Sequence, residues 1–103
     1  MCLWKKKPDK LTQECWNIDY SFILWLHEHL TKYLEDAGKN IDLEYHKIDY
    51  KGNTYTQLEI INKMLEITTK LKDEDAYYGI EDVGKQVNEM LDLFKTAYFY
   101  LWW

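Results

Sequence analysis

The chain contains no arginine: all 13 of its basic residues are lysine, set against 18 acidic ones in 103 residues. Arginine supplies the rigid fork that grips phosphate or guanine through two parallel hydrogen bonds. A net charge of −5 also leaves little to neutralise a nucleic-acid backbone. Direct nucleic-acid binding is therefore not expected. Proline and glycine are scarce, with only Pro8 and four glycines. That excludes a glycine-rich phosphate loop and permits long uninterrupted helices. Cys2 and Cys15 have no framework spacing, which fits free thiols in a reducing cytosol. The start MCLWKKKP has no apolar run after its lysines, so no signal peptide is expected. No stretch approaches the ~20 apolar residues of a membrane span. The expectation is a cytoplasmic chain with no membrane contact.

What the chain has in excess is aromatic surface. Five Trp, nine Tyr and three Phe bring the rings to 17% of residues. A chain of this length can bury roughly 65% of its unfolded surface, enough for one self-supporting domain. The rings concentrate at the end, AYFYLWW, seven uncharged residues in a chain that is 30% charged. Tyr98, Phe99, Tyr100, Trp102 and Trp103 cannot all reach one core from a continuing helix, because successive helical side chains point in different directions. Either the tail folds back as a lid or part of it meets another chain.

The patterning predicts an all-α fold: three long helices in an irregular antiparallel bundle, with a minor element around residues 40–55. Residues 1–14 read as a loosely ordered arm and residues 15–103 as a single helical domain. The first long helix runs from about Asp19 to Asp36, capped by Asn17 or Asp19. Its apolar stripe is Phe22, Ile23, Leu26, Leu30, Tyr33 and Leu34, widened by Leu24 and Trp25, which suggests the central position. Gly38 then offers a left-handed stop. In residues 40–55, IDLEYHKIDY alternates and then slips phase, and KGNT signals a turn. A β-hairpin carrying Tyr50 and Tyr55 on its arms and a short helix through Ile41, Tyr45 and Ile48 both fit; composition favours the helix.

Thr56-Gln57-Leu58-Glu59 is a capping box that opens the second long helix, ending near Leu71 or Lys72. Two apolar rows on it predict contact with two neighbours. The third opens near Ile80 or Glu81, with Glu81 and Asp82 in its first turn. Its stripe is Val83, Val87, Met90, Leu91, Phe94, Ala97 and Leu101, interrupted by Gly84, for which a close backbone contact is one explanation.

Chemistry-bearing patterns are incomplete. His27 and His29 stand two apart and diverge on a helix, so they do not form a metal pair. Glu89-x-x-Asp92 has the spacing of a magnesium-binding helix in the all-α nucleotide pyrophosphohydrolases but lacks the second pair of carboxylates. No metal site, cofactor or catalytic residue is assigned, and the expectation is a non-enzyme. Asp42 and His46 are four apart and can share a helical face. With Tyr50 and Tyr55 they form the one candidate polar cluster. Asp73, Glu74, Asp75, Glu81, Asp82, Glu89 and Asp92 oppose Lys85 alone, and read as a solvated face or a surface for a basic partner.

Three patches, WNIDYSFILWLHEHL, DLEYHKIDYKGNTYTQLEIINKMLE and FKTAYFYLWW, together resemble small accessory proteins encoded by tailed bacteriophages. The resemblance spans most of the chain and transfers no catalytic residues. It implies a compact protein acting on a host or phage protein in the host cytoplasm. The leading functional expectation is a non-enzymatic protein–protein interaction protein, such as a modulator or inhibitor of a host process, with the five tail rings as contacts. A structural homo-oligomer, as in a small virion or scaffold component, is the alternative, and a cryptic ligand or enzyme site at His46 the second.

Overall fold

The computed structural model describes residues 9–79 and 81–103. The chain is mainly helical, with one two-stranded antiparallel hairpin. None of its described helices is long and apolar enough to cross a membrane. Residues 1–8 of the expected arm, Cys2 among them, and Ile80 lie outside the described residues. Residues 10–14 are helical: α1 (Lys10–Glu14) is capped by Asp9, whose carboxylate accepts from the Thr12 N–H at 2.7 Å.

A 3-10 turn at Cys15–Asn17 leads into α2 (Ile18–Ala37). Asn17 holds the N-cap position without a side-chain hydrogen bond. Ile23, Leu26, Leu30 and Ala37 are buried, at the three- and four-residue spacing of one helix face. Leu24 and Trp25 do not widen that stripe; they lie on its solvent side, 37% and 46% exposed. Gly38 is right-handed (φ −60°), so it is no left-handed stop. A Cβ there would stand 2.7 Å from the Leu34 carbonyl oxygen, and crowding explains the glycine. The helix is instead closed by Asn40, whose side-chain amide donates to the Asp36 carbonyl oxygen at 2.8 Å.

Residues 40–55 resolve in favour of the hairpin, against the helix that composition favoured. Strand β1 (Lys47–Tyr50) pairs with β2 (Asn53–Thr56), with Ile48 opposite Tyr55 and Tyr50 opposite Asn53. The connecting Lys51 and Gly52 both have positive φ, 49° and 81°. That is the twist a two-residue hairpin turn requires, and glycine adopts it without steric penalty. Period-two alternation buries Ile48 and Tyr50 while Lys47 and Asp49 face water. Tyr45, which the helical reading placed on the buried face, is 74% exposed.

The hairpin feeds directly into α3 (Gln57–Leu71), and the capping box forms as expected. The Glu59 N–H donates to Thr56 Oγ1 at 3.1 Å, and the Thr56 N–H donates to the Glu59 carboxylate at 2.9 Å. Ile60, Ile61, Met64, Thr68 and Leu71 are buried because α3 packs against both α2 and α5. The central helix is therefore α3 and not α2. Its breadth of apolar surface is the physical reason: two rows can serve two neighbours.

A short helix not expected from the sequence, α4 (Glu74–Gly79), follows an Asp73 carboxylate that accepts from the Asp75 and Ala76 N–H groups. Its Tyr77 hydroxyl donates to Asp19 on α2 at 2.6 Å, tying the two helices together. Helix α5 (Val83–Ala97) starts later than expected, so Glu81 and Asp82 precede its first turn. Met90, Leu93 and Ala97 are its buried residues, whereas Leu91 is 42% exposed. Nothing lies within 4 Å of a Cβ built on Gly84, so no close backbone contact explains that glycine.

Candidate functional site

The tail does not continue α5. Tyr98–Tyr100 tighten into a 3-10 turn and the backbone departs from helical geometry at Leu101 (φ −88°, ψ 67°). The chain then folds back over α2 and the start of α3, held by its carbonyl groups. Tyr33 Oη donates to the Trp102 carbonyl oxygen at 2.8 Å and lies 3.2 Å from that of Tyr100. Gln57 Nε2 donates to the Tyr100 carbonyl oxygen at 2.6 Å and to Tyr33 Oη at 2.8 Å. Burial raises the pKa of Tyr33, partly offset by its bonds with Gln57 and Trp102, so it serves as an O–H donor.

While the tail backbone is anchored, most of its rings face outward. Tyr98, Phe99, Trp102 and Trp103 are 57%, 84%, 61% and 55% exposed, and only Tyr100 and Leu101 are half-buried. Of the two options the sequence offered, the fold-back is seen, and it leaves rings uncovered. Trp103 packs toward Tyr33, ring centres 5.9 Å apart, and borders a groove of about 300 Å³ with Trp25, Leu30, Phe94 and Leu101. Trp25 separates it from a shallower depression of about 390 Å³ lined by Leu11, Ile18 and Phe22. Phe22 and the Trp25–His29 stack, the latter with centres 4.1 Å apart, continue the aromatic surface along α2. The His29 Nδ1–H donates to the Trp25 carbonyl oxygen at 2.7 Å, which fixes that stack. Contiguous exposed apolar surface is a feature that interaction sites of many proteins share.

The opposite side of the tail is polar. A loop carries Asp42 and His46 toward α3, anchored by the Leu58 N–H donating to the Leu43 carbonyl oxygen at 3.0 Å. Asp42 accepts from the Glu44 N–H at 2.9 Å, an Asx-type turn. Asp42, Tyr45, His46, Gln57, Tyr100 and Trp102 surround a pocket of about 260 Å³. His46 is half-buried, its ring centre 5.0 Å from that of Tyr100 and 5.2 Å from that of Tyr45. Asp42 and His46 are thus brought together, though by a loop and not a helix.

Tyr50 and Tyr55 do not join this cluster. They contact each other across the hairpin, ring centres 6.4 Å apart. Tyr50 is buried in the core, where desolvation and the nearby Glu89 carboxylate raise its pKa. Gln57 and Tyr33 take their place, and neither was singled out from the sequence as a site residue. An amide at the first position of a helix reads as part of a cap, and nothing local marks it as the anchor of a tail 43 residues away.

Glu89 is engaged by Lys51 of the hairpin turn at 2.7 Å, and that hydrogen bond lowers its pKa. Asp73 caps α4 and Asp82 accepts from Gln86 Nε2 at 3.0 Å. Glu74, Asp75 and Glu81 are exposed, and Asp92 is half-buried. Among the described residues, no three His, Cys, Asp or Glu side chains are grouped to hold a metal ion. His27 is engaged at the α2–α3 contact, Nδ1 lying 2.9 Å from the Thr68 hydroxyl, and Cys15 is a free, exposed thiol.

Comparison with protein-family models, curated proteins and solved structures finds no match to this chain.

Proposed function

We propose that this chain is a non-catalytic protein-binding protein that presents the tail rings and the outer surface of α2 to a second protein. The observation that carries the reading is the tail itself: its backbone is fixed by Tyr33 and Gln57, yet four of its rings are left uncovered. Anchored aromatic side chains bind at low entropic cost, since the backbone ordering has already occurred on folding. Tryptophan and tyrosine are the usual anchors of such interfaces.

The partner that fits is a protein with apolar side chains for the Trp25–Trp103 groove and a basic surround. The net charge of −5 opposes self-association and favours a positively charged neighbour. The likeness to phage accessory proteins suits a host or phage protein in that role, acting in the host cytoplasm. An irregular antiparallel arrangement of the three long helices would serve as the rigid support.

The test is a Phe99→Ser variant, chosen because Phe99 is 84% exposed and its loss leaves the core intact. The wild-type chain, immobilised, should retain a basic protein from its native cells; the variant should retain much less while keeping the wild-type melting temperature. Sedimentation across a hundredfold concentration range discriminates the alternative. A closed oligomer that dissociates on Phe99→Ser replacement would replace this reading with a structural homo-oligomer.

A further inference from the structure

Beyond the apolar groove, we propose that the pocket between the 41–46 loop, Gln57 and the tail binds an organic cation, a guanidinium or a primary ammonium group. Three observations converge on that chemistry.

First, Gln57 lines the pocket and is fully buried, and its Oε1 has no hydrogen-bond partner. The orientation of its amide is settled by the Tyr100 carbonyl oxygen, 2.6 Å away, which can only accept and therefore faces Nε2. That leaves an unpartnered acceptor on a side chain that lines the site. Buried acceptors without partners are costly and uncommon, and they mark places where a small shift of the side chain toward a donor is favourable.

Second, among the described residues that line the pocket, Asp42 supplies the one carboxylate. It is exposed, and the Glu44 N–H occupies only its Oδ1. No lysine is among the described residues that line it. An anion would meet that carboxylate; a cation would pair with it.

Third, the remaining walls are rings: Tyr45, His46, Tyr100 and Trp102. The Trp102 indole N–H is taken by the Phe99 carbonyl oxygen at 3.0 Å, so this ring offers π surface and not a donor. Cations are held by such rings, and the planar guanidinium stacks on them as well.

The shared chemistry has two sources, a free small molecule and an arginine or lysine side chain of a peptide. Titration of the 15N-labelled full chain with n-butylguanidinium, followed by heteronuclear NMR, reads the site directly. Resonances of Asp42, His46 and the Trp102 indole should shift saturably, and n-butylurea, uncharged and of similar shape, should shift them far less. Asp42→Asn should weaken n-butylguanidinium binding about fivefold, the scale of one exposed ion pair. This variant keeps an oxygen for the Glu44 N–H, so the loop is preserved. A capped tripeptide with central arginine separates the sources: tighter binding than n-butylguanidinium assigns a peptide side chain, equal binding a free cation. Equal response to n-butylurea, or shifts confined to residues outside the pocket, would overturn the proposal. The readout is the chain's own resonances with a named small cation, so its outcome is independent of the partner reading above.

Discussion

The Gln57 side-chain amide and the Tyr100 carbonyl oxygen are joined by a 2.6 Å hydrogen bond across 43 residues of sequence. It fastens the tail to the first residue of α3. Tyr33 completes the fastening from α2. The apolar and the polar sides of the tail are both built on this pair of anchors, since Trp103 borders one and Trp102 the other.

Replacing Gln57 with Leu removes two donated hydrogen bonds and leaves the Tyr100 carbonyl without that donor. The expected loss is about 2 kcal/mol, the scale of stranding a buried acceptor. Tyr33→Phe should cost about 1 kcal/mol, the net value of one such bond. Because Gln57 also donates to Tyr33 Oη at 2.8 Å, the double variant should lose less than the sum. Urea unfolding of the four proteins gives the cycle. Strict additivity would show that the two anchors act separately.

His27 makes stability depend on pH near neutrality. Desolvation by burial lowers its pKa, with the Lys72 charge adding to the effect and Glu28 opposing it. The folded state thus favours the neutral imidazole. A base with a depressed folded pKa contributes stability above its unfolded value, and that contribution disappears as pH falls through the folded value. The melting temperature should fall between pH 7.5 and pH 5, before the carboxylates titrate. In a His27→Gln variant, which keeps an amide beside the Thr68 hydroxyl, the fall in this window should be smaller. An identical fall in both proteins would assign the dependence to other groups.

The glycines separate by backbone geometry. Gly52 has φ 81° in the hairpin turn, so Gly52→Ala should destabilise by about 1 kcal/mol or more. Gly84 has open space around it within α5, and Gly84→Ala should stabilise by about 0.4–1 kcal/mol through the unfolded chain's lost freedom. Thermal denaturation of the two variants should move in opposite directions.

What the sequence makes legible here is what is local. The capping box at Thr56–Glu59 and the stripes of α2 and α3 need only neighbours within a turn, and they formed where the spacing placed them. The hairpin was visible as one of two options, because Gly52-Asn53 within KGNT signals a turn while Ile41, Tyr45 and Ile48 also fit a helix. Only the burial of Ile48 and Tyr50 against the long helices decides between them. The late start of α5 and the presence of α4 depend on caps and tertiary ties, such as the Tyr77–Asp19 bond, that spacing does not contain. The candidate site was half legible: Asp42, His46 and the tail rings stood out by residue type, whereas Gln57 and Tyr33 matter through partners 24 to 69 residues away.

Exposure separates residues that hold the fold from those available to a partner. Ile23 is 1% exposed, in the shared core with Ile60, Met64 and Leu93. Truncating it to Ala should cost about 2–5 kcal/mol, from lost transfer energy and the cavity left behind. Phe99 and Tyr98 are largely exposed and meet chiefly each other, ring centres 5.2 Å apart, and Phe94. Serine at both positions should change stability by about 0.5 kcal/mol or less, as surface replacements do. Partner retention should follow the reverse order: nearly abolished by the two serines, and kept by the fraction of Ile23→Ala chains that remain folded. Urea unfolding and a partner-retention assay on the same preparations check both halves. Serine variants that unfold like Ile23→Ala would make the tail rings part of the core, and the case for a docking surface would fall with them.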